Sequence, residues 1–286
     1  MSYVEPIVQA FNSLPLLAFG SAALFGLVIG SFLNVVIFRL PGMLGLVEPA
    51  AATAAGETWS LATPPSRCPA CGHRLPWHQN IPVVSYLALR GRCAGCARVI
   101  PIRYPVVELL TAGLATLCLW RFQLTPAGLF AFVFCALLLV ITYIDLDTFI
   151  VPDRLTLPGI WLGLGINAFA LFTAAEDAIL GAIVGYGVLG LINGLYKLVA
   201  RREGIGRGDW KLAALIGAWL GLEGIITTLI CAFALGGLLG LGLMLAAGRG
   251  PRTALPFGPF LAVGGAIALL VGADLMGWYM SLIVGP

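Results

Sequence analysis

The chain has 286 residues, of which 60% are hydrophobic and only 10% charged, with a mean hydropathy of +0.99. That balance excludes a water-soluble globule. The net charge of +3 comes from cations that are not interleaved with aromatics, as a single-strand groove requires, so no nucleic-acid partner is expected.

Runs of roughly 20 apolar residues, the length a helix needs to cross about 30 Å of hydrocarbon, recur along the chain. The fold class is therefore an all-α polytopic membrane protein. Residues Met1 to Pro15 contain no Lys or Arg. The first apolar run thus lacks the basic start of a secretory signal and is expected to stay in the mature protein. About eight spans are predicted, over 16–38, 105–122, 126–144, 155–174, 178–199, 209–221, 224–247 and 258–282, the sixth of them short. The long polar segment 41–104 separates the first two. This gives three regions: 1–40 with the first span, a small extramembrane domain over 41–104, and a membrane body over 105–286.

Lys and Arg in short loops stay on the cytosolic side. With eight spans, all of the 16 cations except Arg121 fall on one side. That side is read as the cytosol, leaving both termini outside, and its cations are expected to meet anionic lipid headgroups. A seven-span arrangement would strand Arg249 and Arg252 on the far side.

Within 41–104, Cys68 and Cys71 form one C-x₂-C, and Cys93 and Cys96 form a second. Two knuckle turns of this kind complete a tetrahedral four-thiolate site, which suits Zn²⁺. Such a site has no open position, so the metal is expected to be structural, holding a domain too small for a sufficient apolar core. Paired disulfides are disfavoured in a reducing cytosol, and a redox C-x-x-C would normally accompany a βαβ pattern that is absent here. His73 and His78 are read as turn or surface residues. Cys118, Cys135 and Cys231 lie inside spans and read as small buried apolar residues.

Carboxylates at a membrane edge are costly enough to need a reason. Asp145, Asp147 and Asp153 cluster in "YIDLDTFIVPD", and Asp209 follows two glycines in "GIGRGDWK". Asp145 closes the third span and Asp209 opens the sixth, both at the cytosolic end. Two adjacent carboxylates share a proton. One can then activate a water while the other protonates a leaving amine, which is aspartyl-protease chemistry. Gly206 and Gly208 would let a substrate backbone approach and would allow φ values other residues resist. Taken singly, Asp209 reads equally well as a helix N-cap and Asp145 as a polar helix end. An ion transporter would place its acids near the midplane, where Glu108, a little inside span two, is the main exception.

The strings "GSFLNVVIFRLP", "NIPVVSYLALRGRC", "IPIRYPVVELLTA", "IDLDTFIVPD", "GIGRGDWKL" and "LPFGPFLA", with the two cysteine knuckles, span the whole chain. In this order they resemble a type IV prepilin peptidase, a G-x-G-D aspartyl membrane protease. The resemblance puts the catalytic pair on Asp145 and Asp209, with Gly206, Gly208, Arg207 and Asp147 in support. Asp147 competes with Asp145, which is preferred because Pro152 follows it by seven residues as the family pattern asks. Arg207 adds a cation beside Asp209 and would favour it as the ionised base. The resemblance also implies leader cleavage of prepilins and pseudopilins after a glycine at the cytosolic face of the bacterial inner membrane. It further implies N-methylation of the new terminus with S-adenosylmethionine. Methylation is expected of 41–104 and the adjoining helix ends; no G-x-G-x-x-G marks a cofactor site, and Glu108 and Arg103 are its candidates. Two rival functions stand beside this one: a peptidase without methylation, and a transporter or assembly factor whose aspartates bind ions or cap helices. The Ala-rich stretch 45–65 reads as a flexible linker.

Overall fold

The computed structural model describes residues 14–47, 60–247 and 255–284. Most of the expected linker and the cations Arg249 and Arg252 lie outside these. The chain divides into two compact units, Met1–Ala136 and Leu137–Pro286.

In the first unit, α1 (Pro15–Met43) opens with a proline in its first turn, where the missing N–H costs nothing. A 3₁₀ turn (Trp77–Asn80) and the short α2 (Val84–Ala88) follow. Then comes α3 (Arg103–Phe122), which packs along α1. The buried Asn34 of α1 donates its amide to the Tyr104 carbonyl at 3.0 Å, fixing the two helices at one level. Helix α4 (Pro126–Thr148) begins in this unit and ends in the second. Among the described residues no β-strand forms, only two isolated bridges.

The second unit adds α5 (Asp153–Asn167), α6 (Ala175–Ala200), α7 (Arg207–Ala247) and α8 (Gly258–Val284). Helix α7 packs against α6, α8 and α5. Among the described residues, five helices are long and apolar enough to cross a membrane. The protein is multi-pass.

Two boundaries differ from expectation. Helix α5 stops at Asn167 instead of running to 174, because Asn167 turns its side chain onto the chain that follows. Its Oδ1 accepts the N–H groups of Phe172 and Thr173 at 3.0 and 3.3 Å. The sixth and seventh expected spans are merged into α7, which is non-helical at Gly221 (φ 70°, ψ −169°), beside the expected break. Only glycine takes that conformation without strain. The break deprives the preceding carbonyls of helical partners, and the buried Asn167 amide supplies them, donating to the Ala218 and Trp219 carbonyls at 2.9 Å each. One side chain thus ends α5 and satisfies the break in α7.

Candidate functional site

Asp145 sits in the last turn of α4, 3% exposed. The helix ends at Thr148, and just beyond it the Phe149 N–H returns to the Asp145 carbonyl at 2.8 Å while Phe149 adopts φ 55°, left-handed and strained for a non-glycine. Asp147, two residues on, is carried roughly 200° around the helix and is exposed. The same peptide therefore buries one acid of the expected cluster and presents the other outward.

Asp209 lies in the first turn of α7, 8% exposed, inside the helix rather than at its cap, with its N–H bonded to the Gly206 carbonyl at 3.1 Å. The loop that delivers it is organised by Asn193 of α6, whose Oδ1 accepts the N–H groups of Gly204 and Ile205 at 2.8 and 3.0 Å. The two carboxylates are brought within electrostatic reach of each other. Asp145 Oδ2 also accepts the backbone N–H of Gly258, at the start of α8, at 3.1 Å.

The glycines depart from expectation in their backbone conformation. Neither Gly206 nor Gly208 has positive φ. Gly208 is needed for space: a Cβ there would lie 2.9 Å from the Cβ of Val151, so the α4–α5 connection packs directly on the Gly-Asp turn. At Gly206 a Cβ would lie 3.4 Å from Asp209 Oδ2, leaving that carboxylate an open flank. Arg207 lines the same opening, but its charge reaches Glu203, and Asp145 is the charge that bears on Asp209.

A cavity of about 290 Å³ opens between residues 149–153 and 206–211, with Asp209 in its wall. Across it, Lys211 Nζ bonds both carboxylate oxygens of Asp153, at 2.7 and 2.8 Å, tying α7 to the start of α5. Sequence alone does not place Gly258, Asn193 or the Asp153–Lys211 pair at the site. The string "LPFGPFLA" was a signal for the first, but nothing local tied it to Asp145.

In the first unit the four cysteines converge, their sulfurs all within 4.8 Å of one another. The two knuckles are built alike. Cys68 N–H bonds the His73 carbonyl, Gly72 N–H bonds the Cys68 carbonyl, and Arg67 bridges Arg74. Cys93, Arg98, Ala97, Arg92 and Val99 repeat that pattern residue for residue. The fifth position of each knuckle is left-handed, Gly72 at φ 72° and Ala97 at φ 55°. The Cys68–Cys96 and Cys71–Cys93 sulfurs are 3.9 and 4.0 Å apart. A disulfide needs about 2.05 Å. Four sulfurs at about 2.3 Å from one tetrahedral ion would be roughly 3.8 Å apart, so the cluster fits a metal ion. The N–H groups of Gly95 and Cys96 favour the Cys93 thiolate and bring its pKa down to about 6.

Glu108, a candidate for the cofactor, is buried in α3 with its carboxylate engaged. Oε2 accepts the Val83 N–H at 2.7 Å, and Ser31 of α1 also donates to it. Arg103 opens α3.

Comparison with known proteins agrees with this division. Residues 24–122 match the model of the bacterial peptidase A24 N-terminal domain, and residues 132–241 match that of the type IV leader peptidase family. A Pseudomonas putida protein named prepilin leader peptidase/N-methyltransferase is 42% identical over 269 residues, covering 92% of this chain and 93% of its own. The chain belongs to the type IV leader peptidase family. Relatives of the same name from Burkholderia pseudomallei strain 1026b (46% identity, 93% of this chain and 89% of theirs) and Pseudomonas aeruginosa (41%, 96% and 98%) extend the family likeness over nearly the whole chain. No solved structure matches.

Proposed function

We propose that this protein is an aspartyl endopeptidase of the bacterial inner membrane that removes the leader of prepilins and pseudopilins after a glycine, with Asp145 and Asp209 as its catalytic pair. The observation that carries the proposal is two buried carboxylates from different helices, the charge of Asp145 bearing on Asp209, and Asp209 lining a cleft. On the cation distribution the cleft faces the cytosol, where a substrate whose stem is in the membrane presents its leader junction.

Each carboxylate accepts one backbone N–H, Asp145 from Gly258 and Asp209 from Gly206, but Asp209 is the one on which its neighbour's charge bears, so we assign Asp145 the base and Asp209 the proton. This reverses the assignment that Arg207 suggested. Asp145 takes a proton from water as its oxygen attacks the scissile carbonyl, and Asp209 protonates the developing oxyanion. On collapse the C–N bond breaks, the leaving amine takes the proton gained by Asp145, and the oxyanion proton returns to Asp209. The open flank at Gly206 admits the substrate backbone, and Asp147 takes no part.

Zn²⁺ would be held by Cys68, Cys71, Cys93 and Cys96 and would supply only structure. N-methylation of the new terminus, with S-adenosylmethionine as methyl donor, is assigned to the 41–104 region and adjoining helix ends on family grounds. Glu108 serves the fold of that region through Val83.

The test is cleavage of a prepilin with a Gly-Phe junction in liposomes by the wild type and by Asp145→Asn, Asp147→Asn and Asp209→Asn, read by intact mass. Asp147→Asn is expected to cleave and the other two variants to be inactive. A product heavier by one methyl group supports the second activity, and an unmethylated product leaves a peptidase alone. Cleavage by all four proteins overturns the reading.

A further inference from the structure

The segment between the two cysteine knuckles carries large apolar side chains on its surface. Trp77 is 80% exposed, Val84 59% and Leu87 68%, with Ile81 also exposed, and they follow one another at intervals of three or four residues through the 3₁₀ turn and α2. In a small metal-held domain standing free in water, such a strip would be costly.

The height of the strip relative to the membrane is set by Glu108. That residue lies five positions into α3, roughly 7.5 Å along the helix from Arg103. A 20-residue helix is about 30 Å long, the thickness of the hydrocarbon layer, so Arg103 stands near its edge. The Glu108 side chain leans toward the helix start and receives the Val83 N–H at 2.7 Å. Val83, at the head of α2, is thereby held within about one turn of the level where α3 enters the lipid. Asn34 and Ser31 of α1 brace the same level. Around the strip, Arg74, Arg90, Arg92 and Arg98 are exposed, a charge that complements anionic headgroups.

We propose that residues 77–88 form an interfacial segment, with Trp77, Ile81, Val84 and Leu87 seated at the boundary between headgroups and acyl chains and the flanking arginines on the headgroups. The cysteine domain then lies on the bilayer, tethered through Val83 and Glu108. Exposed apolar side chains at this depth, with cations flanking them in the chain, have the composition of a segment lying in the plane of the interface.

The test uses the full-length, metal-loaded protein in liposomes containing phosphatidylglycerol. The Trp77 emission is taken as the difference between wild type and Trp77→Phe. Lipids brominated near the carbonyl end of the acyl chain are expected to quench most of that difference, lipids brominated near the methyl end much less, and aqueous iodide hardly at all. Leu87→Asp is expected to shift Trp77 toward iodide quenching while the bound metal is retained. Quenching by iodide without bromine quenching overturns the proposal, because the strip is then in water. Quenching by neither also overturns it, because a protein surface, a second copy or a substrate, covers the strip instead.

Discussion

The backbone N–H of Gly258 points at Asp145 Oδ2 across 3.1 Å, joining residues 113 positions apart in the chain. A Cβ at residue 258 would stand 2.5 Å from that oxygen. Gly258→Ala must therefore displace the carboxylate. The expected result is a loss of about 100-fold in kcat for leader cleavage with little change in KM, since misplacement of a reacting group by about 1 Å costs on that order. Steady-state kinetics in liposomes, with membrane insertion checked, measures it; unchanged kcat would show the contact to be incidental.

Lys211 and Asp153 are 30% and 55% exposed, so their ion pair is worth only about 0.5 kcal/mol of stability. Their value lies in holding the two walls of the cleft together. Lys211→Met and Asp153→Asn are each expected to lower kcat severalfold with nearly unchanged melting temperature. The exchange Asp153→Lys with Lys211→Asp should recover part of the loss. A double-mutant cycle on kcat reads the coupling, and strictly additive losses would refute it.

Asn167 makes four hydrogen bonds from a fully buried position. Asn167→Leu keeps the branched shape but strands the two carbonyls at the break in α7 and the N–H groups of Phe172 and Thr173, for a destabilisation of about 3 kcal/mol. Thermal unfolding in detergent should show a clear drop in midpoint. A substitution within about 0.5 kcal/mol of wild type would mean that water serves those carbonyls.

In the cysteine domain, removing the metal with a chelator is expected to abolish the protease resistance of residues 60–102 while the membrane helices keep their circular dichroism. Acid should act in the same direction. A metal ion on these sulfurs needs them as thiolates, so protons compete with it and falling pH favours its release. Release of zinc followed with a chromogenic reagent from pH 9 to 5 tests this, and retention unchanged at pH 5 would contradict it. Ala97→Gly relieves the left-handed strain that its counterpart Gly72 avoids, with a gain of about 1 kcal/mol expected in domain stability.

The helices, the cysteine cluster and the burial of two aspartates were legible because each is carried by a local pattern: apolar length, C-x₂-C spacing, a lone acid at a span end. Helical geometry also sets Asp145 and Asp147 apart, burying the first and exposing the second. What local pattern could not carry were the long-range backbone contacts. Gly258 meets Asp145 through a main-chain N–H that every residue but proline possesses. Gly208 looked like a source of conformational freedom and is a site of close packing. Arg207 looked like the charged neighbour of Asp209 because it is near in sequence, but the charge that bears on Asp209 is that of Asp145.

The glycine break in α7 also bears on where the reaction's water comes from. It leaves the aspartate-bearing part of α7, residues 207–220, about 21 Å long, and neighbouring α5, with 15 residues, measures about 22 Å. Both fall short of a hydrocarbon layer of roughly 30 Å, and a short helix is matched by thinning of the bilayer around it. The first turn of α7, where Asp209 lies, also lines the cleft, so water reaches that carboxylate through the cleft's own opening.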